Sequence, residues 1–281
     1  MLYKKVVFRC TKVKNLNNKS MDKISFIRTI GDFRSGVNED IRPSWLRLTT
    51  ITLVSKHLKE QGVSLDPQRM QKVFDKITVI PIEQPGGGEF RWQAFYSSFY
   101  NQITIGYKDA LSTKKVKIFP NGSLQIAGCV DMDDCDRFIS QFQIIMRLVY
   151  GVEIPMDSFK IVMINSNFTL NHEINLMEVI DIFNNSVNVI DFNPDRYSAV
   201  KIKFRSMADG KQVTASIFST GSIIITGAER FEEVCQAYIY IVSTLVKHTS
   251  RVYTSKITSS KNFDYFMGYS YSEWYAKIMS E

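Results

Sequence analysis

A segment of thirteen residues occurs twice in this chain, and this repeat constrains the possible folds more than any other feature of the sequence. The first copy is Lys117-Ile-Phe-Pro-Asn-Gly-Ser-Leu-Gln-Ile-Ala-Gly-Cys129, and the second is Ser216-Ile-Phe-Ser-Thr-Gly-Ser-Ile-Ile-Ile-Thr-Gly-Ala228. Each copy has apolar residues on both sides of an Asn-Gly or Thr-Gly pair, which is typical of a β-hairpin. Because a repeated unit implies a repeated architecture, the sequence predicts two similar halves related by a rough two-fold axis.

The segments around the two hairpins recur in the same order. In each half the apolar pattern predicts a strand, a helix, three strands and a long helix. In the first half these are a strand at 44–55, a helix starting at Asp66 and Pro67, a strand at 99–107, the hairpin at 115–129 and a helix from Asp131. In the second half they are a strand at 159–164, a helix capped by Asn175, a strand at 197–204, the hairpin at 213–228 and a helix at 230–247. The glycine-containing stretch 78–98 is predicted to be a surface loop.

Charge and aromatic content suggest four regions. Residues 1–44 contain ten Lys or Arg against four Asp or Glu, so they account for most of the net charge of +7. We expect a basic extension there, partly ordered, with a short strand at 24–27, and this extension fits contact with a polyanion. The two repeats then occupy 45–151 and 152–250. The remaining residues, 251–281, are rich in aromatic side chains, which favours a tail that packs on the body.

Several classes of protein are disfavoured by the composition. The chain lacks an apolar run of about 18 residues and a secretory leader, so we expect neither a membrane protein nor a secreted one. The four cysteines show no Cys-x-x-Cys spacing, and the three histidines are far apart in sequence. We therefore expect an intracellular protein without a metal site, a cofactor or an enzymatic activity.

The repeated motif resembles the TATA-box-binding protein family, whose hairpins have the form Ile-Phe-x-x-Gly-Lys-x-x-x-Thr-Gly-Ala. Residues 217–228 fit this form at every position except the Lys, and residues 118–129 fit it more loosely. Phe192-Asn-Pro-Asp-Arg-Tyr197 is similar to a second family element, and Thr50-Ile-Thr-Leu53 is similar to the first family strand. The likeness covers about 45–250.

The resemblance implies an α+β fold shaped like a saddle. In this family two pseudo-symmetric repeats form one curved antiparallel sheet with helices on the convex side, and DNA lies beneath the concave face. Pairs of aromatic wedges in the family enter the minor groove and kink the duplex. Carried over by motif, these wedges fall on Phe99 and Phe119 in the first half and on Tyr197 and Phe218 in the second.

The residues themselves support part of this assignment. Side chains alternate between the two faces of a strand, so Ile118 and Phe119 point in opposite directions, as do Ile217 and Phe218. If each Ile faces the helices, each Phe lies on the exposed face, where a base step could cover it. By the same resemblance the floor of the saddle includes Leu48, Thr50, Gln125, Asn165, Asn167, Ile224 and Thr226. The central Asn pair of the family falls on Leu46 and Met163, although Asn165 is predicted to lie on the same face as Met163.

The resemblance also implies partners. The chain would act as a monomer on AT-rich promoter DNA and recruit a factor IIB-like protein and an RNA polymerase, in the nucleus or in a cytoplasmic viral factory. Asn193, Pro194 and Asp195 correspond to the family's contact with factor IIB. The alternative is a scaffold of the same fold that binds protein or a nucleic acid other than a promoter.

Overall fold

The chain folds around one antiparallel sheet of ten strands. The computed structural model describes residues 21–74, 91–95, 101–108, 113–184, 188–205, 212–257, 265–266 and 269–280. The strands of the sheet are β1 (Arg47–Ser55), β2 (Arg91–Phe95), β3 (Ile103–Lys108), β4 (Thr113–Ile118), β5 (Leu124–Cys129), β6 (Lys160–Thr169), β8 (Val189–Asn193), β9 (Tyr197–Arg205), β10 (Gln212–Phe218) and β11 (Ser222–Ala228). Their order across the sheet is β2-β3-β4-β5-β1-β6-β11-β10-β9-β8.

Helices form a layer on one face of this sheet. They are α1 (Lys23–Ser35), α2 (His57–Glu60), α3 (Pro67–Phe74), α4 (Met132–Tyr150), α5 (Leu176–Phe183), α6 (Phe231–Val246), α7 (Thr249–Val252) and α8 (Tyr271–Ser280). Small strand pairs, β7 (His172–Ile174) with β12 (Tyr253–Lys256) and β13 (Tyr265–Phe266) with β14 (Tyr269–Ser270), complete the fold. The hydrophobic core lies between the sheet and α3–α6, which confirms the predicted α+β class. Within the described residues no helix is long and apolar enough to cross a membrane.

A pseudo-two-fold axis passes between β1 and β6. Ile51 of β1 pairs directly with Ile164 of β6. On its other side Ile51 pairs with Cys129 of β5, and Ile164 pairs with Ala228 of β11. Because Cys129 and Ala228 are the last residues of the two repeated segments, the pairing relates the halves as the repeat predicts. The sheet is therefore continuous across the two halves.

Glycines with positive φ set both hairpin turns against neighbouring backbone. Gly122 has φ +79° and Gly221 has φ +75°, backbone conformations that residues with a Cβ rarely adopt. A Cβ on Gly122 would lie 2.6 Å from the carbonyl oxygen of Val63, and one on Gly221 would lie 2.3 Å from that of His172. The repeated Gly is thus required by both the turn and the close approach of a second segment.

The structure differs from the sequence prediction in three places. Each half has four strands after its first helix, because β2 lies within the stretch predicted to be a loop and β8 precedes β9. The described part of the strand predicted at 99–107 begins at Ile103, and residues 96–100 lie outside the described residues. The strand predicted at 24–27 is wrong, because these residues belong to α1. The edge strand β8 has no fully buried side chain, so its apolar signal is weak.

The terminal regions pack on the helix layer. Phe26 and Phe33 of α1 make edge-to-face contacts with Phe231 and Tyr238 of α6. Helix α8 lies beside α1, and a Cβ on Gly31 would lie 2.3 Å from the ring of Tyr275. The prediction that the aromatic tail packs on the body is confirmed for its described residues.

We predict that Gly221→Ala lowers the free energy of unfolding more than Gly151→Ala does. Gly151 has φ +71° with nothing within 4 Å, so its substitution carries only the backbone cost of about 1–2 kcal/mol. Gly221→Ala adds the clash with His172, a cost of about 1–3 kcal/mol for overpacking. Urea denaturation measures the difference, and equal values for the two variants would contradict the proposed close approach.

Candidate nucleic-acid interface

The face of the sheet turned away from α3–α6, here called the open face, collects most of the residues named by sequence. Ile118 and Ile217 are fully buried toward the helices, while Phe119 and Phe218 are half-buried at the ends of β4 and β10. The alternation argument for the two Phe residues is therefore confirmed. Phe99 lies outside the described residues.

In the second half the two aromatic side chains form a pair. The ring centroids of Tyr197 and Phe218 are 5.5 Å apart, with an interplanar angle of 67°. Tyr197 is 37% exposed. Ala199, the cross-strand partner of Phe218, is small and leaves room for both rings. The geometry is a preformed edge-to-face pair standing on the open face.

The floor between the hairpins has mixed polarity. Thr50 pairs with Asn165, and Asn167 pairs with Ile224, so each pair lies on one face of the sheet. These four side chains are half-buried, and Gln125 and Thr226 on β5 and β11 are also half-buried on the same face. The Oδ1 atoms of Asn165 and Asn167 are buried without a hydrogen-bond partner. Met163 pairs with Thr52 on this face, so Asn165 and Met163 lie together as predicted.

The prediction that Leu48 lies on the floor is wrong. A β-bulge at Thr49 shifts the register, so Leu48 pairs with Ser166 on the helix side and is only 5% exposed. A bulge at Val162 in β6 has the same effect on Ile161, which packs in the core at the pseudo-symmetric position. A bulge inserts one residue and therefore reverses the face of all side chains before it.

Positive charge dominates the open face, and the sequence analysis did not identify this. By register the charged side chains there are Arg47, Lys108, Lys115, Lys117, Lys160, Lys201, Lys203 and Arg205, with Asp191 as the acid on the described strands. The sequence pattern of β9 does contain this information, because Lys201, Lys203 and Arg205 alternate with apolar residues and must therefore share one face of the strand.

Neighbouring lysines on β4 lie on opposite faces of the sheet. Lys114 points into the core, where its Nζ lies 2.9 Å from Oδ1 of Asp134, and both side chains are fully buried. Asp134 also accepts hydrogen bonds from the backbone N–H of Val130 and from Arg137. Lys115 and Lys117 lie on the opposite face. A buried cation requires such partners because the core excludes water.

The turn named as a partner contact is exposed. Asn193, Pro194 and Asp195 connect β8 to β9 at the end of the outermost hairpin, and the N–H of Arg196 donates to the carbonyl of Asn193 at 3.1 Å. This turn directly precedes Tyr197. A protein bound there would lie next to the aromatic pair.

Comparison with known proteins finds similar sequences over part of the chain. Residues 158–248 match the family model described as transcription factor TFIID, or TATA-binding protein. A TATA-box-binding protein-like protein of Acanthamoeba polyphaga mimivirus is 29% identical over an alignment of 185 residues, which covers 55% of this chain and 50% of the relative. The chain is similar to TATA-binding proteins over these residues.

The resemblance stated from the motifs is thus confirmed, although the chain spans about half the length of that viral relative. The solved structure of the Methanococcus jannaschii TATA-binding protein is also similar, with a TM-score of 0.49 and 14% identity, covering 73% of this chain and 98% of that one. The family match covers the second half, where the repeated motif fits the family form more closely.

We predict that Leu48→Ala destabilises the protein and that Thr50→Ala does not. Leu48 is a core residue, so its truncation should cost about 2–5 kcal/mol in the free energy of unfolding. Thr50 lies on the open face, where a substitution usually changes stability by about 0.5 kcal/mol or less. Thermal or urea unfolding checks this, with Ile161→Ala as the pseudo-symmetric comparison. If Leu48→Ala were as stable as the wild-type protein, the Leu48 side chain would have to lie on the open face instead of in the core.

Proposed function

We propose that the chain is a transcription initiation factor that binds double-stranded DNA through the open face and bends it at the minor groove. The observation that carries the proposal is the preformed Tyr197 and Phe218 pair on a sheet face whose charged residues are almost all basic. The family match and the viral relative support it.

The aromatic pair supplies the bending step. An exposed ring gains free energy when apolar surface covers it, and a separated base step offers two such surfaces. Unstacking a step costs a few kcal/mol. Phe119 at the corresponding position of the first hairpin provides the second point of insertion, so the duplex is bent at two places.

The cations supply most of the affinity. Each Lys or Arg that contacts a phosphate releases condensed counterions, and this electrostatic contribution does not depend on sequence. Lys115 and Lys117 in one half and Lys203 and Arg205 in the other lie on opposite sides of the pseudo-two-fold axis. They can therefore contact the backbone in both halves of a bound site.

The floor residues contribute base recognition. In the minor groove A·T pairs display only acceptors, and G·C pairs add one donor. Thr50, Thr226 and the amides of Asn165, Asn167 and Gln125 can donate to those acceptors, while Ile224 excludes water. TA steps, which consist of A·T pairs, are flexible and easily kinked, so they also lower the cost of the bend.

The exposed turn of Asn193, Pro194 and Asp195 is the proposed contact for a factor IIB-like protein, through which an RNA polymerase is recruited. The turn is accessible and adjacent to the proposed bend, so a partner bound there would contact both the protein and the bent DNA. The chain acts as a monomer in this complex.

We predict that the Phe119→Ala/Phe218→Ala double variant loses the bend but keeps salt-dependent binding. Energy transfer across a dual-labelled AT-rich duplex measures the bend, and titration at several salt concentrations measures the affinity. The wild-type protein should bend the duplex at saturation. An unbent wild-type complex would favour a scaffold that binds nucleic acid or protein without kinking.

A second variant set locates the electrostatic contacts. Lys117→Gln and Lys203→Gln should each reduce the slope of log K against log salt by about 0.9, the value for one phosphate contact. Lys277→Gln is the control, because Lys277 is equally charged but belongs to α8 in the helix layer. Equal slopes for all three variants would place the DNA away from the open face.

A further inference from the structure

Lys201 makes a contact that the proposed function does not use. Its Nζ lies 4.6 Å from the centroid of the Tyr197 ring, within the range of a cation–π interaction. Both residues are on β9 and point to the open face, with the small Ala199 between them. The Lys201 side chain therefore extends along the strand across Ala199 to the ring.

The three side chains form a short stack on one face. The ammonium of Lys201 contacts Tyr197, and Tyr197 meets Phe218 edge to face at 5.5 Å. Asp191 of β8 is the cross-strand partner of Lys201, so a carboxylate lies beside the lysine. A Tyr ring that is 37% exposed is thus held from one side by Phe218 and from another by a cation.

In the first half the position equivalent to Lys201 is not a lysine. Ile103 pairs with Ile118 as Val200 pairs with Ile217, so the position equivalent to Lys201 is Thr104. The cation of the first half is instead on the neighbouring strand, because Thr104 pairs with Lys117 while Lys201 pairs with Ser216. On the open face, the described contact of a lysine with an aromatic ring is the one between Lys201 and Tyr197 in the second half.

We propose that Lys201 is the positioning residue of the Tyr197 and Phe218 pair, an inference that rests on the proposed insertion of this pair into DNA. In the free protein the ammonium orients the Tyr197 ring against Phe218. When the ring enters a base step its faces are covered by bases, and the cation–π contact ends. The ammonium then pairs with a backbone phosphate, so loss of one contact is offset by gain of another.

Because Lys201 exchanges its contact with Tyr197 for a contact with a phosphate, this lysine affects both the DNA bend and the salt dependence of binding. A lysine that only contacts phosphate affects affinity and salt dependence but leaves the bend unchanged. A lysine that also orients the ring affects the bent population at saturating protein. The two roles therefore separate in one experiment.

The experiment compares Lys201→Met with Lys203→Met and Lys201→Arg in the full-length protein. Lys203 is the matched control, because it lies on the same strand and face and pairs with Thr214 rather than reaching the ring. Both Met variants should reduce the salt slope by about 0.9. Only Lys201→Met should lose part of the bent population at saturation, and Lys201→Arg should keep both properties because a guanidinium also makes cation–π contacts with an aromatic ring.

A measurement on the free protein tests the same residue without DNA. With 3-fluorotyrosine at position 197, the ¹⁹F resonance should shift in Lys201→Met and remain unchanged in Lys203→Met. An unchanged resonance together with an unchanged bent population would overturn the proposal and leave Lys201 as a simple phosphate contact. If the wild-type protein binds no duplex, the proposed function fails, and the ¹⁹F shift alone decides whether Lys201 orients the ring.

Discussion

The antiparallel pairing of β1 with β6 is the interaction on which the rest of the structure depends. It joins two similar halves into one sheet, so the helices of both halves cover a single continuous apolar face. The matching bulges at Thr49 and Val162 maintain the symmetry of that pairing and turn Leu48 and Ile161 into the core. With the core on one side, the other face is left for polar, aromatic and cationic side chains.

The charge on this second face has a cost for the free protein. Like charges on neighbouring strands repel, and the register places one acid, Asp191, beside Lys201 on the described strands of this face. The same cations would be stabilised by a polyanion that spans the sheet. Lys114 shows the contrast, because a lysine of the same strand that enters the core is matched by Asp134 at 2.9 Å.

The basic charge of the N-terminal region has a different role in its described part. Lys23 lies over the ring of Trp274 and near Asp133, and Arg34 lies over Trp45. These cations help to attach α1 to the helix layer, on the side of the sheet away from the open face. The polyanion contact expected for the extension stays a prediction, because residues 1–20, which carry six of its ten basic residues, lie outside the described residues.

The sequence alone was sufficient for the two-fold repeat, the hairpins, the start of α4 near Asp131, the cap of α5 at Asn175, and the faces of Phe119 and Phe218. These properties are local, because turn chemistry and the alternation of side chains depend on residues close in the chain. The face of Leu48, the existence of β2 and the contact of Lys201 with Tyr197 were decided only by the tertiary structure. A bulge is a property of two paired strands, an edge strand depends on the neighbour it joins, and the reach of a lysine depends on the small residue it crosses. None of these can be read from one segment, because each is determined by what lies beside that segment in space.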